Sequence, residues 1–301
     1  MSRPKGGSIS FISQSGTMGI AYLDMLGKYG ISKFVSYGNR IDVDEGDLVS
    51  FLGDDPKTKV IAAYIEGLEK GRKFFKAAKR VSKKTPIVVY KAGRTPQASK
   101  ASSSHTGFLS GTFNVISGVM EQSNIVSVDS FESLLAASKV LSIKKRIKGN
   151  RVIIITNGAG AIIQAMDRIG EKDKLKLTEL SNKNKNELKN KMPAYVIVGN
   201  PIDLTGSGTD ADYETVLKTV MSDPDVDLVL VWFVFQLKTI TERISEILKK
   251  YMKKSNKPII CGTIGGEYTK KIGNIIERNG VPIFYSVEEW ISAAEAICQK
   301  N

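Results

Sequence analysis

His105 is the only histidine in 301 residues, and it sits in the run SKASSSHTGFLSG (99–111) among serines, alanines and glycines. Hydrolytic triads pair a histidine base with a serine or cysteine nucleophile. Ser102–Ser104 are adjacent in sequence, but no G-x-S-x-G elbow joins a strand to a helix. One histidine with two cysteines, Cys261 and Cys298, rules out a two-histidine catalytic zinc and suits neither a structural zinc site nor a disulfide framework. A lone imidazole flanked by small residues is better suited to accepting a phosphoryl group on nitrogen and passing it on. That chemistry asks mainly for positioning and charge neutralisation. Small neighbours let such a loop enter a narrow gap, and Gly107 and Gly111 leave it hinge freedom. The plainer alternative is a surface histidine without consequence.

Two short stretches could supply the neutralisation. SQSGTMG (13–19) and TNGAGA (156–161) each follow an apolar β-branched run and open a helical pattern. Ser15, Gly16 and Thr17 in the first, and Asn157, Gly158, Ala159 and Gly160 in the second, would present unpaired N–H groups and the positive end of a helix dipole. Both lie at the carboxyl edge of a sheet, which makes an anion site. The same residues also make ordinary tight turns, with Ser15 or Asn157 as N-cap. Neither turn is a standard nucleotide motif. Gly158-x-Gly160-x-x-Ile163 lacks the third glycine of the dinucleotide fingerprint and no GxxxxGK[ST] occurs, which argues against a nucleotide-dependent oxidoreductase.

The elements that must carry these turns alternate regularly. SISFIS, KFVSYG, VIAAYIE and PIVVYKA read as buried parallel strands. Between them, Met18, Tyr22, Met25 and Tyr29 form one helical stripe, and Phe74, Ala78 and Val81 another. NIVSV and a helix through Phe131, Leu134, Leu135 and Ser138 close the first half. The basic connector IKKRIKGN (143–150) follows. RVIIIT, DLVLVWFVF, KPIICG and VPIF are the strands of the second half. Its helices carry Ile162, Met166 and Ile169; Ile240, Ile244, Ile247 and Tyr251; Tyr268, Ile272 and Ile275; and Trp290, Ala294 and Ile297. The predicted architecture is α/β, two doubly wound, flavodoxin-like parallel-sheet domains over 1–147 and 148–301. Only 178–212, a polar helix and the loop VIVGNPIDLTGSG, interrupts the rhythm, and loops of that length are often functional.

Composition narrows the class. A hydrophobic content of 42% supports ordinary cores. No run of eighteen apolar residues marks a membrane span and no signal peptide is legible at the start, so a soluble cytoplasmic protein is expected. The net charge of +13, from 44 Lys and Arg against 31 Asp and Glu, is spread over Lys-rich runs such as NKNKNELKNK. These carry few aromatics and no nucleic-acid motif, and read as solvated surface that also steers small polyanions.

ISQSGTMG, YIEG, SSSHTGFLSG, TNGAGA and GNPIDLTG occur in this order in the nucleoside-diphosphate-forming acyl-CoA synthetases, relatives of succinyl-CoA synthetase. The resemblance covers nearly the whole chain; each motif alone is weak, and the set is specific. It implies an acid–thiol ligase running carboxylate + CoA + ATP ⇌ acyl-CoA + ADP + phosphate through acyl phosphate and a phosphohistidine. By resemblance His105 is phosphorylated, and the helices opening at Ser15–Gly16–Thr17 and at Gly158–Ala159–Gly160 hold the phosphohistidine. Glu66, in YIEG, matches the carboxylate that hydrogen-bonds its ring and fixes the tautomer; left alone it would be a turn-capping acid. Asn200 and Asp203, in GNPIDLTG, match a segment lining the phosphate site, although an Asx-turn serves nearly as well. Asn39, in YGNRIDVD, falls on a loop that faces the active site in the family.

The resemblance also implies CoA, ATP/ADP and Mg2+ for the complete enzyme, phosphate bound in this chain, and no metal ion within it. Members of the full kind carry a CoA-binding Rossmann domain and an ATP-grasp module, and this chain resembles their two central ligase domains only. The partners expected are therefore an ATP-grasp subunit or domain, a CoA-binding Rossmann domain, and a small carboxylate or acyl phosphate. Apolar surfaces left by absent partners admit a homo-oligomer; no nucleic acid and no membrane is expected. A reading from another class is a non-catalytic regulatory or binding module of an acyltransferase-fused homologue, in which the histidine is often lost. Retention of His105 and Glu66 favours catalysis.

Overall fold

The computed structural model describes residues 4–106, 113–143 and 146–298, with the backbone alone for residues 28 and 102–106. The chain divides into two compact units, Met1–Ser142 and Ile143–Asn301.

In the first unit, β1 (Gly6–Ser13), β2 (Ile31–Ser36), β3 (Val60–Ile65), β4 (Ile87–Lys91) and β5 (Val126–Val128) form one sheet in the order β2-β1-β3-β4-β5. Every pairing is parallel. Strands buried on both faces need near-continuous apolar runs, and Ile9, Phe11, Ile12 and Val60–Ala63 are inaccessible to solvent. The crossovers are α1 (Gly16–Leu26), α2 (Glu45–Gly53), α3 (Gly71–Val81), and the pair α4 (Pro96–Thr106) and α5 (Phe113–Gln122), with α6 (Phe131–Ile143) closing the unit. On α3 the stripe read from sequence is the buried face: Phe74, Ala78 and Val81, with Ala77.

The second unit repeats the plan. Its strands are β6 (Arg151–Thr156), β7 (Lys176–Leu177), β8 (Ile202–Asp203), β9 (Leu228–Phe233), β10 (Ile259–Thr263) and β11 (Ile283–Phe284). The order is β11-β10-β9-β6-β7, again parallel, and β8 pairs with the end of β6 on the side where β7 pairs with its beginning. The helices are α7 (Gly160–Lys172), α8 (Asn182–Lys191), α9 (Asp210–Ser222), α10 (Ile244–Lys254), α11 (Glu267–Arg278) and α12 (Val287–Ile297). The interrupted stretch is thus a polar helix and a two-residue strand. Helix α8 is attached through buried Leu188 and through Asn184, whose amide donates to Asp223 at 2.7 Å.

Several helical faces differ from those read in the sequence. Helix α1 buries Gly19, Tyr22 and Leu26, and Met25 is 43% exposed. Helix α11 buries Thr269, Ile272, Gly273 and Ile276, while Tyr268 points outward. Both shifts have one cause. A Cβ at Gly19 would lie 2.5 Å from the Phe34 ring, and one at Gly273 would lie 2.2 Å from the Tyr285 hydroxyl. Each glycine is the point of closest approach to its neighbour, and a pattern counted in apolar side chains passes over it. Ile240 is buried but precedes α10, which begins at Ile244. The segment holding His105, read as a loop, is helical from Pro96 through Thr106, so His105 lies in the last turn of α4. Gly107 and Gly111 fall outside the described residues.

Candidate functional site

In a doubly wound sheet, ligands bind at the carboxyl edge where adjacent connections leave on opposite faces. For the order β2-β1-β3-β4-β5 that point lies between β1 and β3. The first small-residue turn follows β1, and Glu66 follows β3.

Ser13, the last residue of β1, closes the turn on itself: its hydroxyl donates to the Ser15 carbonyl at 2.7 Å and accepts from the Ser15 N–H at 3.2 Å. Ser15 is the N-cap of α1, accepting from the Met18 N–H at 3.4 Å, and its hydroxyl lies 3.1 Å from that of Thr17. Gly16 and Thr17 are exposed, and first-turn N–H groups have no intrahelical acceptor. A Cβ on Gly16 would meet nothing nearer than Ser36 Oγ at 3.9 Å, so packing does not demand this glycine.

Glu66 is tied to this turn through Gln14. The Gln14 Oε1 accepts from the Glu66 N–H and, at 2.9 Å, from the Gly67 N–H. On the other side, Lys91 at the end of β4 donates from Nζ to the Glu66 carbonyl at 2.6 Å and to the Ala92 carbonyl. Lys91 is wholly buried. Burial pulls its ammonium down to about 8, partly opposed by the Glu66 carboxylate. Two residues before Glu66, and so on the same face of the strand, Tyr64 is pushed up to about 12 by burial and by the Glu66 charge.

The connection from β2 to α2, where Asn39 is exposed, is anchored by Arg40. Its guanidinium pairs with the buried Glu45 carboxylate at 3.1 Å. Glu45 also accepts from the Tyr37 hydroxyl at 3.2 Å and from the Gln14 amide at 3.3 Å. Burial pushes Glu45 above the usual carboxylate range, with Arg40 opposing, and holds Tyr37 far above an ordinary phenol. This chain of contacts joins the Asn39 loop to the backbone of Glu66.

The second unit closes its turn with the same device. The Thr156 hydroxyl donates to the Gly158 carbonyl at 2.9 Å and accepts from the Gly158 N–H at 3.0 Å. Helix α7 begins at Gly160 with Ala159 as a helical N-cap that makes no side-chain cap. Asn157 is therefore not the cap. Its buried amide accepts from the Val234 N–H at 2.8 Å and donates to the Val234 carbonyl at 3.2 Å, while Tyr213 donates to it at 3.2 Å. Ala159 and Gly160 are exposed, and a Cβ on Gly160 meets nothing within 4 Å. Asp203 pairs in register with Thr156, which brings it beside the turn, and its carboxylate closes an Asx-turn on the Thr205 N–H at 2.8 Å. Asn200 serves the sheet: it accepts from the Ile154 N–H at 3.0 Å and donates to the Val152 and Thr178 carbonyls at 2.8 Å each. Both its amide N–H groups are committed there.

The first unit thus gathers Ser15, Gly16, Thr17 and Glu66, with the loop that holds Asn39 joined to Glu66 through Arg40, Glu45 and Gln14. The second gathers Asn157, Gly158, Ala159, Gly160 and Asp203, with Asn200 farther down the strand. Of His105 the helical backbone is described. Gln14 and Lys91 went unremarked in the sequence. Lys91 did leave a signal there, a charged residue ending the apolar run IVVY. Among the described residues no group of three His, Cys, Asp or Glu could hold a metal ion, and no helix is long and apolar enough to cross a membrane.

Two parallel-sheet α/β domains, each with a small-residue turn leading from its first strand into a helix, define the class. Residues 6–141 match the succinyl-CoA ligase like flavodoxin domain and residues 152–298 the ligase-CoA domain. The chain belongs to the nucleoside-diphosphate-forming acyl-CoA synthetase family. It is 35% identical over 302 aligned residues to the alpha subunit of acetate–CoA ligase [ADP-forming] II of Pyrococcus furiosus, covering 98% of this chain and 66% of that subunit. To acetate–CoA ligase [ADP-forming] of Methanocaldococcus jannaschii it is 35% identical, covering 96% and 42%. Among solved structures, acetyl-coenzyme A synthetase 1 of Ca. Korarchaeum cryptofilum, in complex with phosphate and ADP, superposes with a TM-score of 0.89 at 33% identity, covering 97% of this chain and 64% of that one. The chain therefore spans less than two thirds of the length of these relatives.

Proposed function

We propose that this chain is the phosphohistidine-carrying part of an ADP-forming acyl-CoA synthetase, with residues 1–147 bearing the histidine segment and 148–301 forming the second ligase domain. The γ-phosphoryl group of ATP passes to a ring nitrogen of His105 as its bond to ADP breaks. It then passes to the substrate carboxylate, forming acyl phosphate and freeing the imidazole. The CoA thiol attacks the acyl carbon and expels phosphate, which takes up the thiol proton. Each unit contributes one helix N-terminus, at Ser15–Gly16–Thr17 and at Gly158–Ala159–Gly160, whose N–H groups neutralise phosphoryl oxygens without a lysine. Glu66 accepts a hydrogen bond from the second ring nitrogen of His105, which sets the tautomer and leaves the other nitrogen free to attack. Asn39, Asn157, Asn200 and Asp203 shape the loops around these groups.

One observation carries this reading. Glu66, the acid the family pairs with its phosphohistidine, is clamped at the switch point of the first sheet and tied through Gln14 to the turn that opens α1. The two helix-opening glycines point the same way, because neither is demanded by packing inside the chain. CoA, the nucleotide and its Mg2+ are assigned to a CoA-binding Rossmann domain and an ATP-grasp subunit or domain, and the whole works in the cytoplasm. Mg2+ would screen the phosphate charge of the nucleotide there.

The test uses this chain with its ATP-grasp partner and γ-labelled ATP. Acid-labile, base-stable label should appear, and should be lost in His105→Asn; label that persists in that variant overturns the assignment.

A further inference from the structure

Helix ends and charged surface grooves occur elsewhere in the molecule, but one buried charge stands apart. Lys91 is among the largest side chains of the first unit with no solvent exposure. An Ile or Met would fill the end of β4 without the cost of dehydrating an ammonium. The ammonium is spent on two carbonyls just beyond the ladder, those of Glu66 and Ala92. Gln14 takes the Gly67 N–H of the same peptide and the Glu66 N–H of the peptide before it. The backbone of Glu66 is thus held on its N–H by a side chain from the end of β1 and on its carbonyl by one from the end of β4. The two strands flank β3, which leads into Glu66.

We infer that Gln14 and Lys91 are positioning residues that act through Glu66, fixing the direction in which its carboxylate leaves the sheet edge. This rests on the proposed role of Glu66 toward His105. With the peptides on both sides of its Cα held, the remaining freedom lies in the Glu66 side-chain torsions alone. Gln14 carries the restraint further: its amide donates to Glu45, which Arg40 and Tyr37 also hold, so the clamp stands on a buried network and not on a free side chain. Arg94 stabilises the other jaw, donating to the Lys91 carbonyl at 3.0 Å while lying 5.4 Å above the Tyr90 ring. Removing either jaw frees the Glu66 peptide to turn, and the imidazole partner is then misdirected.

The experiment is a double-mutant cycle on the initial rate of phosphohistidine formation, measured with the ATP-grasp partner and γ-labelled ATP. Lys91→Met and Gln14→Ala should each lower the rate by about 10-fold or more, the range seen when a supporting partner of a functional group is removed. Lys91→Arg, which keeps a donor at the same place, should recover most of it. In a Glu66→Gln background, Lys91→Met and Gln14→Ala should change the rate less than about twofold, because their effect passes through the lost carboxylate. A role in folding alone would cost the same factor in both backgrounds. Equal losses in both, or a Lys91→Met rate within about twofold of the parent, overturns the inference. If Lys91→Met does not fold, the Gln14→Ala pair decides by the same criterion. If Glu66→Gln itself leaves the rate unchanged, the role of Glu66 fails and takes the clamp with it, an outcome recognisable from that single variant.

Discussion

Asn157 grips Val234 by both backbone groups, accepting its N–H at 2.8 Å and donating to its carbonyl at 3.2 Å. The contact joins the turn after β6 to the chain leaving β9, the two strands on either side of the second sheet's switch point. Asn157→Ala leaves the part-buried Val234 N–H short of a partner, while the Val234 carbonyl keeps the Leu237 N–H and the Tyr213 hydroxyl keeps the Trp232 carbonyl. Unsatisfied buried polar groups cost about 1–3 kcal/mol each. A loss of at least ~1 kcal/mol is expected in urea unfolding of the second unit, with the slope unchanged; a loss below ~0.5 kcal/mol would mean that water replaces the amide.

The glycines of the second turn should respond oppositely. A Cβ on Gly158 would lie 2.7 Å from Val234 Cγ2, so Gly158→Ala should destabilise by about 1–3 kcal/mol through overpacking. Gly160 faces open space, and an acid there complements the helix dipole by about 0.3–1 kcal/mol. Gly160→Asp should therefore leave the melting temperature unchanged or raised while lowering phosphohistidine formation at least ~10-fold, since a fixed carboxylate competes with phosphate for the same N–H groups. Full phosphorylation in Gly160→Asp would remove α7 from the phosphate site.

Lys91 should leave a mark on stability against pH. Its folded value, about 8, lies below the unfolded value of about 10.4. Between those values the unfolded chain binds more protons, so this residue's contribution to stability rises as pH rises. Relative to Lys91→Met, the parent chain should gain roughly 1–2 kcal/mol between pH 7.5 and 9.5. The comparison cancels the tyrosines and cysteines common to both chains. Parallel stability curves would show that the ammonium is not depressed.

Assigning the nucleotide and CoA to other domains predicts that these 301 residues by themselves do not make acyl-CoA. Supplied with acetate, CoA, ATP and magnesium, they should turn over far below the order of 1 per second typical of enzymes. Adding an ATP-grasp subunit and a CoA-binding domain should restore turnover. Activity at ordinary rates without them would contradict the assignment.

The periodic and local features were legible in the sequence. Strand-helix alternation, the two turns and the family motifs are all written in stretches shorter than about ten residues, where hydrophobic spacing and small-residue runs decide the backbone. Ser15 capping α1 is of this kind, because an N-cap reaches only three residues ahead. The same locality misled at Asn157, which has the right chemistry for a cap and spends it on Val234, far along the chain. It misled again on α1 and α11, where Gly19 and Gly273 turn the buried face toward Phe34 and Tyr285.

By itself the sequence determined that two parallel-sheet units follow one another, each with a small-residue turn leading into its first helix, and that the chain holds a single imidazole. Tertiary structure alone decided what holds Glu66. Gln14, Glu66 and Lys91 lie at the carboxyl ends of three strands that become neighbours only through the order β1-β3-β4. A parallel sheet pairs strands across whole helical crossovers, so contacts at its carboxyl edge depend on strand order and register, and no spacing along the chain encodes either.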